Sequence, residues 1–214
     1  MITQVSATDL FRAAYENRYT WDKSFPGYTA NVTLTQGDEV FTGKVQVKAD
    51  LSATISGIDN TDAADSIKGQ LREVAIHRIR RTFEETHGKN SFEYGETLAD
   101  GAVEILIGGK SSGDKYHLHN NEVVMVHRHI HGIVVTIHTS SSHNTGAGYL
   151  SHRYDSVYAD PKTGLAKGGK TLFTDNYTKV GDYFLISERI LESDEEGQPA
   201  VTKFEFTDMR MISK

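Results

Sequence analysis

From Asn90 to Met211 the sequence is a run of strand-length segments separated by turn residues, and only two segments ahead of it carry helical spacing. That imbalance constrains the fold more than any other feature. Two helices set against roughly ten strands cannot cover both faces of a parallel sheet, so doubly wound and α/β-barrel plans are poor fits.

The first helix is expected from about Thr8 to Tyr19, with Ser6 or Thr8 as N-cap and Leu10, Phe11, Ala14 and Tyr15 on one face. After Pro26-Gly27 the period becomes two. Tyr28, Ala30, Val32 and Leu34 alternate with polar residues, and beyond the Gly37-Asp38 turn Phe41, Gly43, Val45 and Val47 do the same. A third short strand, Ala53 to Gly57, leads to the Asp59-Asn60-Thr61-Asp62 capping cluster. Ile67, Leu71, Val74, Ala75 and Arg78 carry a second helix from there to about Arg81. Later strands are punctuated by Asn120-Asn121, His131-Gly132 and Gly181-Asp182 as hairpin signals, and by a type I turn at Asp160-Pro161-Lys162-Thr163-Gly164. Strands joined by tight turns pair antiparallel, so a meander is expected. The fold class is therefore α+β, mostly β: residues 1–214 as a single domain, built as one strongly curved antiparallel sheet, a half-barrel, wrapped around one or two helices. A hollow that the helices leave unfilled would take an apolar ligand.

Composition removes several functions. The chain has no cysteine, which excludes disulfides, thiolate metal sites and cysteine nucleophiles. A formal charge of −6 without a Lys/Arg-rich block argues against a nucleic-acid surface. The longest apolar runs, such as Val123 to Val126 and Ile133 to Val135, are strand-length and fall far short of the ~20 residues a membrane helix needs, so an integral membrane protein is not expected. Met1 to Ala7 lacks the basic and apolar regions of a leader, which makes a cytoplasmic location the expectation. The Asn31-Val32-Thr33 and Asn176-Tyr177-Thr178 sequons are then chance matches.

Histidine is the most conspicuous chemistry. Eight of the ten histidines lie between residues 117 and 152. In a strand His127, His129 and His131 share one side, with His117 and His119 on a neighbouring strand, and such imidazoles could hold Zn²⁺ or another divalent metal. Against this, His131-Gly132 suits the hairpin turn and no carboxylate alternates with the rings, so an exposed polar face is the competing reading. Gly164 to Thr171 spells a phosphate-binding loop letter for letter, yet the residues after it read as strand where the motif requires a helix. Ser151 and His152 are neighbours in a strand and point apart, which leaves no local catalytic triad. Trp21, Phe25 and Tyr28, with the later Tyr149, Tyr154, Tyr158, Tyr177, Tyr183 and Phe184, serve either a packed core or the walls of an apolar pocket.

The stretch Gly148 to Tyr158, the following Asp160 to Gly164 and Gly181-Asp182-Tyr183-Phe184 resemble an uncharacterised family of cyanobacteria and chloroplasts of about this chain length. That resemblance implies no activity. The first helix, the Phe41 to Val47 strand, the second helix and the closing Phe204 to Met209 strand resemble lipoprotein-carrier folds, in which an unclosed antiparallel barrel wraps helices and shelters acyl chains. The function expected is a non-catalytic binding or carrier protein holding a hydrophobic small molecule, a lipid or pigment, in the concave face of the sheet. Two alternatives stand beside it: a metal-dependent enzyme using His127, His129 and His131, and an assembly factor that meets its partner through an exposed apolar patch.

Overall fold

A computed structural model of the protein describes residues 5–195 and 197–213. Residues 1–4, on which the leader reading partly rests, lie outside them. In chain order the elements are α1 (Ala7–Glu16), β1 (Gly27–Gln36), β2 (Glu39–Lys48), β3 (Ala53–Ser56), α2 (Thr61–Ile76), α3 (Phe83–His87) and β4 (Asn90–Thr97). There follow β5 (Val103–Gly109), β6 (Lys115–His119), β7 (Glu122–Ile130), β8 (Ile133–Asn144), β9 (Tyr149–Ala159), β10 (Thr171–Val180), β11 (Tyr183–Glu195) and β12 (Gln198–Met211). The protein is thus mostly β, antiparallel and poor in helix, as the sequence leads one to expect. Among the described residues no helix is long and apolar enough to cross a membrane.

The chain groups into two compact units, Met1–Tyr19 with Arg81–Thr171 and Thr20–Arg80 with Leu172–Lys214. In the first, β9-β8-β7-β6-β5-β4 follow one another as a meander. Their apolar face is filled by α1 and α3, where Phe11 stacks on Phe92 at 5.1 Å and meets Tyr116 at 4.8 Å and Phe83 at 6.1 Å. The helix α1 stops three residues before the expected Tyr19 for a tertiary reason. The Asn17 carbonyl accepts from Tyr149 N–H at 3.0 Å and Tyr19 N–H donates back to the Tyr149 carbonyl at 2.9 Å, so these residues pair with the start of β9. Gly148 makes that approach possible, since a Cβ there would lie 2.6 Å from the Asn17 oxygen. The short helix α3, absent from the sequence expectation, is fixed by a capping box between Thr82 and Glu85.

Within this aromatic cluster sits a buried histidine. His87 lies 5.0 Å from the rings of both Phe11 and Tyr15, nearly perpendicular to each. Asn90 accepts at its side-chain oxygen from Ser111 N–H, which turns its amide nitrogen toward His87 Nδ1 at 3.2 Å. That nitrogen must accept, as it does only in the neutral ring. Burial first, and then the charges of Arg128 and Arg18, push the His87 imidazole down to about 4.

In the second unit β3-β2-β1-β12-β11-β10 are neighbours, and β1 pairs with β12 from the far end of the chain. Val32, Leu34, Val45, Val47, Phe204 and Phe206 are buried in it, as are Ile67, Leu71 and Val74 of α2. The sequence correctly places the α2 cap, where Asn60 Oδ1 accepts from Ala63 N–H, but extends the helix too far: it ends at Ile76 because Arg78 turns to pair with Trp21. One charged pair is fully buried here. Arg189 donates to both Asp175 oxygens at 2.8 and 2.7 Å and to Gln70 of α2 at 2.9 Å. Such a pair tolerates the loss of neither partner alone.

Two outcomes follow from these buried polar groups. Because the His87 pKa lies below its unfolded value of about 6.5, the unfolded chain takes up the proton first; stability is complete above that pH and falls as pH drops toward 4. His87→Phe should flatten the dependence of urea-unfolding free energy between these limits, by about 3 kcal/mol at most, and equal slopes in both proteins would refute the assignment. Arg189→Leu should cost about 3–5 kcal/mol and the double variant R189L/D175L much less, again by urea unfolding. A mild single and a severe double would contradict the buried-pair account.

Candidate functional site

The second unit carries an apolar recess of about 190 Å³ lined by Trp21, Phe25, Ala49, Leu51 and Ile79, with Asp22, Lys23, Arg78 and Arg80 also on its lining. Each wall has a local cause. Asp22 Oδ1 accepts from Ser24 N–H at 2.7 Å, an Asx turn that brings Phe25 back over Trp21. The two rings stack at 4.0 Å with only 7° between their planes. Trp21 is anchored at three points: its backbone N–H donates to the Arg78 carbonyl at 2.8 Å, it bridges Ile79 in parallel, and its indole N–H donates to the Phe184 carbonyl at 3.1 Å. Gly27 closes the turn at φ +88, where a Cβ would strike the Val47 carbonyl.

Another lining residue is conformationally costly. Leu51 holds φ +68 in the turn after β2, with its N–H donating to the Lys48 carbonyl at 2.9 Å. A bulky residue pays for the left-handed region, and such strain persists where the surroundings over-determine it. Here the strain aims a leucine at the recess.

The histidines lie in the first unit. His127 and His129 share the sheet face turned away from Ile105 and Tyr116, with their rings 5.7 Å apart and nearly perpendicular. Each already has a partner: His127 Nδ1 meets Thr136 Oγ1 at 2.9 Å and His129 Nδ1 meets Asp114 Oδ1 at 3.2 Å. Burial, then the Lys115 and His129 charges, hold the His127 imidazole below its ordinary value. His131 sits in the turn at φ +49, followed by Gly132 at +80, the left-handed pair of a type I′ hairpin. Among the described residues no group of three His, Cys, Asp or Glu side chains is gathered as a metal would need.

Cross-strand register brings together another histidine set. Glu104, His117, Met125, His138 and Asp155 lie opposite one another on five consecutive strands. His117, Met125, His138 and Asp155 border a recess of about 500 Å³ that His119 and Asp100 also line. Burial pushes the Glu104 carboxyl up, but hydrogen bonds and charge from Lys115 and His117 prevail and hold it below the usual range. His138 stands 3.5 Å from Asp155, whose other oxygen meets Lys170 at 3.0 Å. The carboxylates of this row are occupied by their own lysines.

Gly164 to Lys170 forms turn and loop, with Gly164 N–H donating to the Asp160 carbonyl and β10 following directly. Without a helix there is no phosphate cradle. Trp21 and Phe25 stand out in the sequence as aromatic wall residues. Leu51 and Ile79 do not, because nothing local marks a left-handed leucine or a chain segment that returns from beyond α2.

No curated protein matches the sequence. Residues 2–212 match the sequence model of a family described as protein of unknown function, DUF3386. Among solved structures, a LolA superfamily protein from Nitrosomonas europaea is 10% identical, with 99% of this chain and 96% of that chain covered and a TM-score of 0.37. A domain assigned as an outer membrane lipoprotein-sorting protein from Vibrio parahaemolyticus is also 10% identical, over 97% of this chain and 92% of that one, with a TM-score of 0.42.

Proposed function

We propose that this chain, which belongs to the DUF3386 family, is a non-catalytic binding or carrier protein whose hydrophobic ligand seats an apolar end beside Trp21. The observation that carries this reading is the recess itself: a stacked Trp21–Phe25 pair and a strained Leu51 together line apolar space. A core under no demand but stability would relieve that strain with glycine. The volume, below the 300–1,000 Å³ usual for small-molecule pockets, suits one end of a chain-like ligand rather than a whole compact molecule.

Trp21 is the one tryptophan in the chain, so its fluorescence reports on this recess alone. Titration with 1-decanol should shift the Trp21 emission saturably. Leu51→Gly relieves the backbone strain and removes the wall, so it should leave thermal stability near that of the parent while weakening binding about tenfold. An emission that decanol does not move, in a folded parent protein, would overturn the reading.

A further inference from the structure

Three cations stand at the recess, and none is paired with a carboxylate among the described residues. Lys23 is exposed, Arg80 is exposed and donates through Nε to Thr20 Oγ1 at 3.1 Å, and Arg78 is half-buried and donates to the Tyr177 hydroxyl at 3.2 Å. Each guanidinium carries five N–H donors, so these contacts leave several for a ligand. The nearby carboxylates are committed elsewhere. Asp22 accepts from Ser24 N–H and from the Tyr183 hydroxyl at 3.0 Å, and Asp50, in the turn that bears Leu51, accepts from the backbone and hydroxyl of Ser52 at 2.9 and 2.6 Å. Hydrogen bonds from Ser52 come first among the influences that hold the Asp50 carboxyl below its usual range. Three cations against the single Asp22 carboxylate on the lining leave the apolar space beside a net positive charge, in a chain whose formal charge is −6, a local reversal of the protein's overall sign.

From this arrangement we infer that the ligand is an anionic amphiphile: an alkyl chain whose end lies between Trp21, Phe25 and Leu51, and a phosphate or carboxylate head met by Lys23, Arg78 and Arg80. The inference rests on the proposed hydrophobic-ligand reading and adds the charge of the head. A neutral amphiphile would gain hydrogen bonds but no ion pair from the cations, and a cationic one would be repelled by them. Guanidinium groups suit such a head because they present paired donors to its oxygens.

The test follows Trp21 emission at neutral pH, below the micelle-forming concentration, with decyl phosphate, 1-decanol, decyltrimethylammonium and inorganic phosphate as separate probes. Decyl phosphate should bind about tenfold tighter than decanol, the advantage arising from exposed ion pairs and fading in high salt. K23Q/R80Q should bring the ratio of decyl phosphate to decanol affinity close to one, and since both side chains are exposed the variant should fold. The salt series on the parent gives the same answer without any substitution. Equal binding of decyl phosphate and decanol, insensitive to salt and to K23Q/R80Q, would overturn the anionic head and leave the hydrophobic reading standing. Tightest binding of decyltrimethylammonium would overturn it too. Inorganic phosphate that binds as well as decyl phosphate would make this a phosphate site and not one for an amphiphile. If neither decyl compound nor decanol moves the emission, the hydrophobic reading falls along with the inference.

Discussion

Very few helical side chains must dry a large area of sheet, and most features of this protein follow from that constraint. Antiparallel strands present one apolar face, and that face is stable only when covered. In the first unit the cover is a dense aromatic cluster around Phe11, and the packing is close enough to enclose His87 as a neutral ring. In the second unit one face of α2 does the work, and the polar edge of that cover is tied down by Arg189 reaching from β11 to Gln70 and Asp175. The buried ionisable groups His87, Asp114, Asp175 and Arg189 are each paired, as burial demands.

The sequence shows this plan where the determinants are local. Alternation along β1 and β2, the Asn120-Asn121 and His131-Gly132 turns and the Asn60 cap all rest on residues within a few positions of each other, and the structure places them as their chemistry requires. Helix ends are a different matter. Asn17 to Tyr19 leaves α1 to pair with Tyr149, and Arg78 and Ile79 leave the path of α2 to pair with Trp21, contacts across more than fifty residues that no periodicity records. The β1–β12 pairing is hidden for the same reason. The α3 helix was legible in the Thr82-to-Glu85 capping box, although its five residues are too short for an apolar period to form.

The same division governs the candidate site. Histidine clustering is the loudest signal in the composition, yet register distributes the rings among partners of their own: His127 with Thr136, His129 with Asp114, His138 with Asp155, and His131 in a turn. The recess draws on quieter residues. Its walls come from the turn after α1, the turn after β2 and the chain leaving α2, and only its aromatic pair is conspicuous before the fold is known. Strain at Leu51, a rim of cations without carboxylate partners and an anchored tryptophan are all properties of the assembled unit.

If the Trp21 recess holds the apolar end of a ligand, native mass spectrometry of gently purified protein will find that ligand bound. The expected result is a non-covalent mass excess that organic extraction removes and that Leu51→Gly diminishes. A clean apo mass, both as purified and after incubation with a total lipid extract, would contradict it.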